Sequence, residues 1–364
     1  MNIQLSALRT ALDLVLPATG DSKIEGADAA VFSDGWVHTF SSEQGISISA
    51  PVQDLAGLTA AVKAKELAKV VKKLKGDVVD IERTETSLRF TCGTTEGEIV
   101  LQPDTLSHSL ANLELSSLES EWKEVPTGLR TAIALCRLEN HRDSFPLVQF
   151  SDDLVIAVTG SRWNYGKVHG DPMGQFSIHT EGAKVLLALG ELSRYAVRNV
   201  WVHFQTEAGT VFSTREKSGD YSFPMKRVID TLNVINTTDP TFSVAMPKDL
   251  GDKVSVVSVF SSEDQKSGTP MVEVHVAGKE IRLSTGNSGG KVKDKCILDA
   301  ALPDNVDVGF LASVPYLEEA AKKVQTMSVV PLRTVAKDGS VAMVPRLVFK
   351  GQDFTQIVSV DVKE

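Results

Sequence analysis

The residues with the strongest formal claim to chemistry are Gly286-Asn287-Ser288-Gly289-Gly290, which fit the G-x-S-x-G pattern of an activated serine. A serine nucleophile needs a base to take its proton and an acid to orient that base. The nearby histidine, His275, stands in an alternating strand pattern between Val274 and Val276 with no supporting motif. Three glycines between Leu283 and Val292 read instead as a hairpin loop, and hydrolysis at Ser288 is the minor alternative. Gly289-Gly290-Lys291 lacks the upstream glycine and the following Ser or Thr of a phosphate-binding loop. The histidines (His38, His108, His141, His169, His179, His203, His275) show no H-E-x-x-H spacing and the cysteines no C-x-x-C. The sequence therefore predicts no metal, no cofactor and no catalytic residue, and the protein is read as a non-enzyme.

Charge carries more information. The chain has 364 residues and a formal net charge of -9, so phosphate could be held only by a local basic surface. One such surface is visible. Leu67, Val70, Val71 and Leu74 fall at i, i+3, i+4, i+7, the buried stripe of an amphipathic helix, and at about 100° per residue Lys65, Lys69, Lys72 and Lys73 stand opposite it. Arg130, Arg137 and His141 line one edge of a second helical stretch, with Arg142 following, and Lys23 joins the set. Two readings stay open: a merely solvated helix face, or an electropositive lining. The last third of the chain offers only Lys248, Lys253, Lys322 and Lys323, beside Glu318 and Glu319.

The elements that would position these residues repeat. The helical stripe of Leu67 to Leu74 recurs at Val185, Ala188, Leu189 and Leu192, and again at Leu317, Ala320, Ala321 and Val324. Strand-like sequence follows each: Val78 to Ile81 and Leu88 to Cys92, Val200 to Phe204 and Thr210 to Ser213, Ser328 to Leu332 and Val341 to Phe349. About 60 residues upstream of each lies another helix, from Leu5 to Val15, from Leu129 to Cys136 and, less regularly, from Leu250 to Val257. Further strands and turns, such as Asp34-Gly35, fill the intervals. The fold class is α+β, with three domains at 1-119, 120-238 and 239-364, each of two helices laid on antiparallel sheet. Composition is 42% hydrophobic, no apolar run is long enough for a membrane span, and the first residues lack the pattern of a secretory signal. Cys92, Cys136 and Cys296 are odd in number and far apart, as fits packed, reduced thiols in a cytoplasm.

Local motifs sharpen this. Val158-Thr159-Gly160-Ser161-Arg162-Trp163 is similar to a Thr-Asp-Gly-His-Arg-Leu segment in the middle domain of the bacterial DNA sliding clamp, the beta subunit of DNA polymerase III. Phe223-Pro224-Met225-Lys226-Arg227-Val228-Ile229 resembles the segment closing that domain. Val308-Gly309-Phe310 with Tyr316-Leu317, Val259-Phe260-Ser261-Ser262-Glu263 and His141-Arg142-Asp143 resemble three more family segments, in the family's order and spacing. Ser161 replaces a histidine, and the ending Ser359-Val360-Asp361-Val362-Lys363-Glu364 departs from the family's, which marks a divergent clamp of bacterial or phage origin.

The resemblance implies a processivity factor: two chains close head to tail into a cytoplasmic homodimer ring of three repeated DNA-clamp domains per half. The ring encircles double-stranded DNA without sequence preference, tethers the replicative DNA polymerase and is opened by a separate clamp loader ATPase. Carried over residue by residue, a hydrophobic pocket for peptides of polymerase, loader and other clamp-binding proteins falls on Thr159, Gly160, Arg162, Trp163, Pro224, Arg227 and Val228, with Val358 and Val360 from the final strand. The dimer contact falls on Ile99, Leu101, Val259 and Phe260. The rival from another class is a ring or shell protein that assembles without nucleic acid.

Overall fold

Alternation and amphipathic stripes resolve into ten elements that occur in the same order three times. The computed structural model describes residues 1–103, 105–136, 146–217, 224–261, 270–335 and 341–362. The first repeat runs β1 (Asn2–Gln4), α1 (Leu5–Val15), β2 (Ala29–Ser33), β3 (Trp36–Ser41), β4 (Ile46–Pro51), β5 (Ala60–Lys63), α2 (Ala64–Lys73), β6 (Val78–Arg83), β7 (Ser87–Cys92) and β8 (Thr95–Val100). A short helix, α3 (Ser107–Ala111), follows. The second repeat is β9 (Lys123–Glu124), α4 (Leu129–Cys136), β10 (Leu147–Ser151), β11 (Leu154–Val158), β12 (Arg162–Lys167), β13 (Gln175–His179), α5 (Thr180–Ala188), β14 (Leu192–Arg198), β15 (Trp201–Thr206) and β16 (Val211–Arg215). After α6 (Met225–Thr237) the third repeat runs β17 (Phe242–Ala245), α7 (Leu250–Val257), β18 (Met271–Ala277), β19 (Glu280–Asn287), β20 (Gly290–Ile297), β21 (Asp307–Ser313), α8 (Val314–Lys323), β22 (Thr326–Val335), β23 (Val341–Lys350) and β24 (Phe354–Ser359).

Each element follows from its residues. In β18, Val272, Val274 and Val276 are buried while Glu273 and His275 between them are not, the two-residue period of a strand with one face on a core. In α2, Ala64, Leu67, Ala68 and Val71 are buried and the lysines are outside. The carbonyls left open at its end are met by Arg9 of α1, which donates to the carbonyl oxygens of Val71 and Leu74 and so ties the two helices together. Asp34 and Gly35 both have positive φ, at 48° and 82°, the turn geometry that joins β2 to β3.

The chain forms two compact units: Met1–Arg130 with Leu147–Gln149 and Gly170–Asp220, and Thr131–Pro146 with Phe150–His169 and Tyr221–Glu364. The first contains a sheet of order β1-β6-β7-β8 and another of order β5-β2-β3-β4-β16-β15-β14-β9. The second contains a run β11-β12-β24-β23-β22-β17 and a sheet with β20-β19-β18-β21. Two of these pairings join strands of different repeats: β4 with β16 and β12 with β24, both antiparallel. Among the described residues, no helix is long and apolar enough to cross a membrane, and Cys92, Cys136 and Cys296 are buried and unbridged.

Three expectations need correction. The stripe in the sequence predicts a helix reaching Leu192, but α5 ends at Ala188 and Leu192 opens β14. Hairpins after the second helix of each repeat are three strands, not two. The polar stretch Asn236 to Pro240, which the sequence offers as a linker at the second domain boundary, begins inside α6: Asn236 and Thr237 are the last two residues of that helix, whose Val228, Leu232 and Ile235 are buried at i, i+4, i+7. These three side chains pack with Ile156, Val158, Tyr165, Val330, Leu332, Val348 and Ile357, so α6 lies over β11, β12, β22, β23 and β24. In the first unit, α3's neighbourhood plays the corresponding part: Leu106 and Leu110 pack with Ala29, Val31, Phe40, Ala61 and Trp201.

The paired strands of the first unit also enclose two histidines, His38 half-buried and His203 fully buried. His38 sits between the hydroxyls of Ser33 and Ser49, at 3.2 and 2.7 Å, and His203 Nδ1 lies 2.8 Å from Ser213 Oγ. Burial pushes each imidazole from 6.5 down to about 4, for His203 with help from the charge of Arg198. The unfolded chain therefore binds protons that the folded one refuses between pH 6.5 and 4. Unfolding free energy from urea titrations should be level above pH 6.5, fall as pH drops through this window, and His203→Gln should flatten part of the fall.

Candidate functional site

The segment Thr159-Gly160-Ser161-Arg162 is a tight connection between β11 and β12. Thr159 N–H donates to Arg162 O at 2.7 Å, and Arg162 N–H donates back to Thr159 Oγ1 at 2.9 Å, so the threonine hydroxyl is spent on holding the turn. Beyond the turn, β12 pairs with β24 in a register that sets Arg162 opposite Val358 and Trp163 opposite Ile357. Tyr165 anchors α6 to this sheet by donating its hydroxyl to Val228 O at 3.0 Å.

Between α6 and the strands lies a cleft of about 850 Å³, lined by Trp163, Pro224, Met225, Arg227, Asp230, Thr231 and neighbours from β22 and β23, within the size range of ligand sites. A smaller cavity of about 70 Å³ adjoins it, shares Trp163, Arg227, Thr231 and Arg346 with it, and adds Gly160, Ser161 and Ser359. Of the residues expected in a partner pocket, Gly160, Trp163, Pro224 and Arg227 are thus brought together. Thr159 and Val228 are buried, Val228 in the core under α6, whereas Val358 and Val360 face the other way, into the core of the third repeat. Sequence reading missed Met225, Lys226, Asp230, Thr231, Val234, Leu332, Arg333 and Arg346. The three-to-four-residue spacing of Arg227, Asp230, Thr231 and Val234 is that of one helix face and was there to be read; Arg346 carried no local signal.

Arg162 is placed otherwise than expected. Its side chain is buried, points away from the cleft into an ion pair with Glu319 of α8, and lies 4.3 Å from the Tyr316 ring centre. Lys323 holds the other oxygen of Glu319 at 2.6 Å. Burial would raise the Glu319 carboxyl, but the charge of Arg162 and the hydrogen bonds from Lys323 and Arg162 outweigh it and hold the group below the usual range. Arg162 is a strut between a second-repeat strand and a third-repeat helix.

The expected DNA-facing residues divide as well. Lys65, Lys69 and Lys73 project from α2 at four-residue intervals, exposed and without a carboxylate in ion-pairing distance among the described residues. Lys72 pairs with Asp13 of α1 at 2.7 Å. Lys23 is exposed in the turn after α1. Arg130 does not offer a free charge: it pairs with Glu191 and donates to Leu187 O at 2.9 Å. Arg137, His141 and Arg142 lie outside the described residues, as do Phe223, Ser262 and Glu263.

At the expected dimer contact, Ile99 faces the core at 8% exposure, and Leu101 is half-buried in a bridge to Val62, so these two pack within their own unit. Val259 is 72% exposed. Phe260 lies against Gly290, the first residue of β20, where a Cβ would come within 3.1 Å of its ring. The outward residues of β8 are Glu96, Glu98 and Val100, and those of β20 are Lys291, Lys293, Lys295 and Ile297.

The serine motif fails on geometry. His275 has an acid partner, Asp307, at 2.6 Å, and stands opposite Arg282 in the β18–β19 register. Ser288 lies in the turn beyond Asn287, six residues along the chain from Arg282, which at roughly 3.4 Å each puts it about 20 Å away. Among the described residues, no group of three or more His, Cys, Asp or Glu gathers as for a metal.

Solved structures align with the chain from end to end. The DNA polymerase sliding clamp of Bacillus subtilis superposes with a TM-score of 0.75 over 100% of this chain and 99% of its own, at 16% identity. The DNA polymerase III beta chain of Streptococcus pneumoniae gives 0.75 over 99% and 98% at 16% identity, and that of Thermotoga maritima 0.72 over 100% and 99% at 15%. The chain has the DNA sliding-clamp fold. No sequence-family model matches the chain, and no curated protein matches it.

The Arg162–Glu319 strut generates a test on this fold. Glu319→Ala strands a buried guanidinium and should lower unfolding free energy by about 3 kcal/mol or more. Combining it with Arg162→Met should recover most of that loss in urea titrations, since no charge is then left unpaired.

Proposed function

We propose that this protein is a DNA sliding clamp: a non-catalytic ring of two chains that encircles duplex DNA and carries partner proteins, the replicative polymerase and clamp loader among them, docked by short peptides. The domain boundaries near residues 119 and 238 belong to the same proposal. The observation that carries it is the rule by which the repeats join. In both joints a strand of the β4 kind, third in its repeat's first hairpin series, pairs with the last strand of another repeat: β4 with β16, and β12 with β24. Applying the rule once more leaves β20 and β8, each at the edge of its sheet. Their unpaired backbone groups would be satisfied by a second copy, and the same contact made twice closes the assembly.

Side chains support that closure. The outward face of β8 is acidic and that of β20 is lysine-rich, so β8 of one chain attracts β20 of another and repels its own kind. Val100 and Ile297, both exposed, supply apolar contact at the same edges. The free lysines of α2 suit phosphate attraction without base readout, which permits sliding. The cleft under α6, with an indole, a proline and arginines, suits a peptide anchor.

Two outcomes are expected. Glu96→Lys with Glu98→Lys, and separately Lys293→Glu with Lys295→Glu, should each sediment as a folded monomer, while an equimolar mixture should regain dimer mass because both joints are again of opposite charge. Dimers of either variant alone would place the contact elsewhere. Replacing Lys65, Lys69 and Lys73 with Ala should weaken duplex binding equally for all sequences and make the slope of log affinity against log salt shallower by up to about 0.9 for each lysine that neutralises a phosphate; an unchanged slope would mean that α2 does not face DNA.

A further inference from the structure

Arg227 and Arg346 both line the large cleft and the small cavity beside it, with Trp163 between the two spaces. Three other arginines that are at least half-buried come with an acid: Arg162 with Glu319, Arg130 with Glu191, Arg198 with Glu114 and Glu121. Arg227 and Arg346 have no carboxylate within ion-pairing distance among the described residues, although Asp230 lines the same cleft. Lys226 and Arg333 add to the positive side. Burial first, and the positive charge of Arg227 second, push the pKa of Arg346 down. The half-buried guanidinium of Arg346 is therefore held near the like charge of the exposed Arg227, an arrangement that an entering anion relieves.

We propose that this cleft selects a linear peptide in which an Asp or Glu side chain is seated between Arg227 and Arg346 while a neighbouring large apolar residue packs on Trp163. The proposal rests on the peptide-docking reading of the cleft and adds the chemistry of its occupant. The lining favours a peptide over a polyphosphate. Met225, Val234, Leu332 and the indole give apolar ground on which a side chain can settle. Asp230 would repel a densely charged phosphate chain but tolerates one carboxylate held by two guanidinium forks.

The test is an array of immobilised random decapeptides probed with the full chain, followed by fluorescence anisotropy on the peptides that bind. Peptides captured by the wild type and lost with Trp163→Ala should carry Asp or Glu at a fixed offset from a large apolar residue. Val234→Lys, at a position 46% exposed, blocks the same cleft without disturbing the core and should lose the same peptides. Arg346→Gln should keep the apolar preference and lose the acidic one. Changing the peptide's Asp to Asn should weaken wild-type binding about tenfold or more and Arg346→Gln binding less than twofold. Equal affinity of the Asp and Asn peptides for the wild type overturns the acid selectivity and leaves peptide docking standing. Binding that survives both Trp163→Ala and Val234→Lys overturns the docking reading, and this proposal with it.

Discussion

Backbone hydrogen bonding at strand edges is the constraint on which the rest of this structure depends. A four-stranded sheet with one face on a pair of helices leaves an edge of unpaired N–H and C=O groups, and water is the only other partner for them. Here the edges are joined between repeats, β4 to β16 and β12 to β24, so the second repeat supplies a strand to each neighbour. The compact units of the chain follow these joints rather than the repeats, and the second repeat is divided between them. Repetition with edge-to-edge joining has no internal stop. Applied once more, the same joint would bring β8 of one chain to β20 of another, which is the physical reason for proposing them as partners in a closed assembly.

The segments between repeats acquire their roles from the same joints. A seam between two strands is flat on its outer face, and the chain crossing from one repeat to the next covers it. Leu106 and Leu110 do so in the first unit and α6 in the second. In the first unit the covered face is closed by Trp201 against Phe40 and carries His38 and His203. In the second, α6 is longer, and the space between its exposed side and β22 and β23 is the cleft. Polar groups are spent unevenly there. Thr159 holds a turn and Arg162 holds α8, while Arg227 and Arg346 are left to face the cleft.

Much of this was legible in the sequence because periodicity depends on which face is buried and not on which residue buries it. The stripes of α1, α2, α4 and α8 and the alternation of β18 are set by burial of one face, and burial is what each repeat must preserve. The connection of Thr159 to Trp163 was recognisable because its turn geometry depends on local side chains. What the sequence concealed is what depends on distant partners. Nothing local to Arg162 says that Glu319 awaits it, nothing near Arg130 announces Glu191, and nothing near Arg346 places it beside Arg227. Ile99 looked like an edge residue because strand alternation does not say which face is inward; its neighbours Glu98 and Val100 are the outward ones. The two-residue period leaves that ambiguity in any single strand.

Encirclement distinguishes this account from every reading in which the lysines of α2 merely meet solvent. After loading onto a nicked circular duplex by the cognate loader, the protein should stay bound through gel filtration at a salt concentration that abolishes ordinary electrostatic binding, and cutting the circle once should release it. Retention that is unchanged by linearisation, or loss from the intact circle at the same salt, would contradict the account.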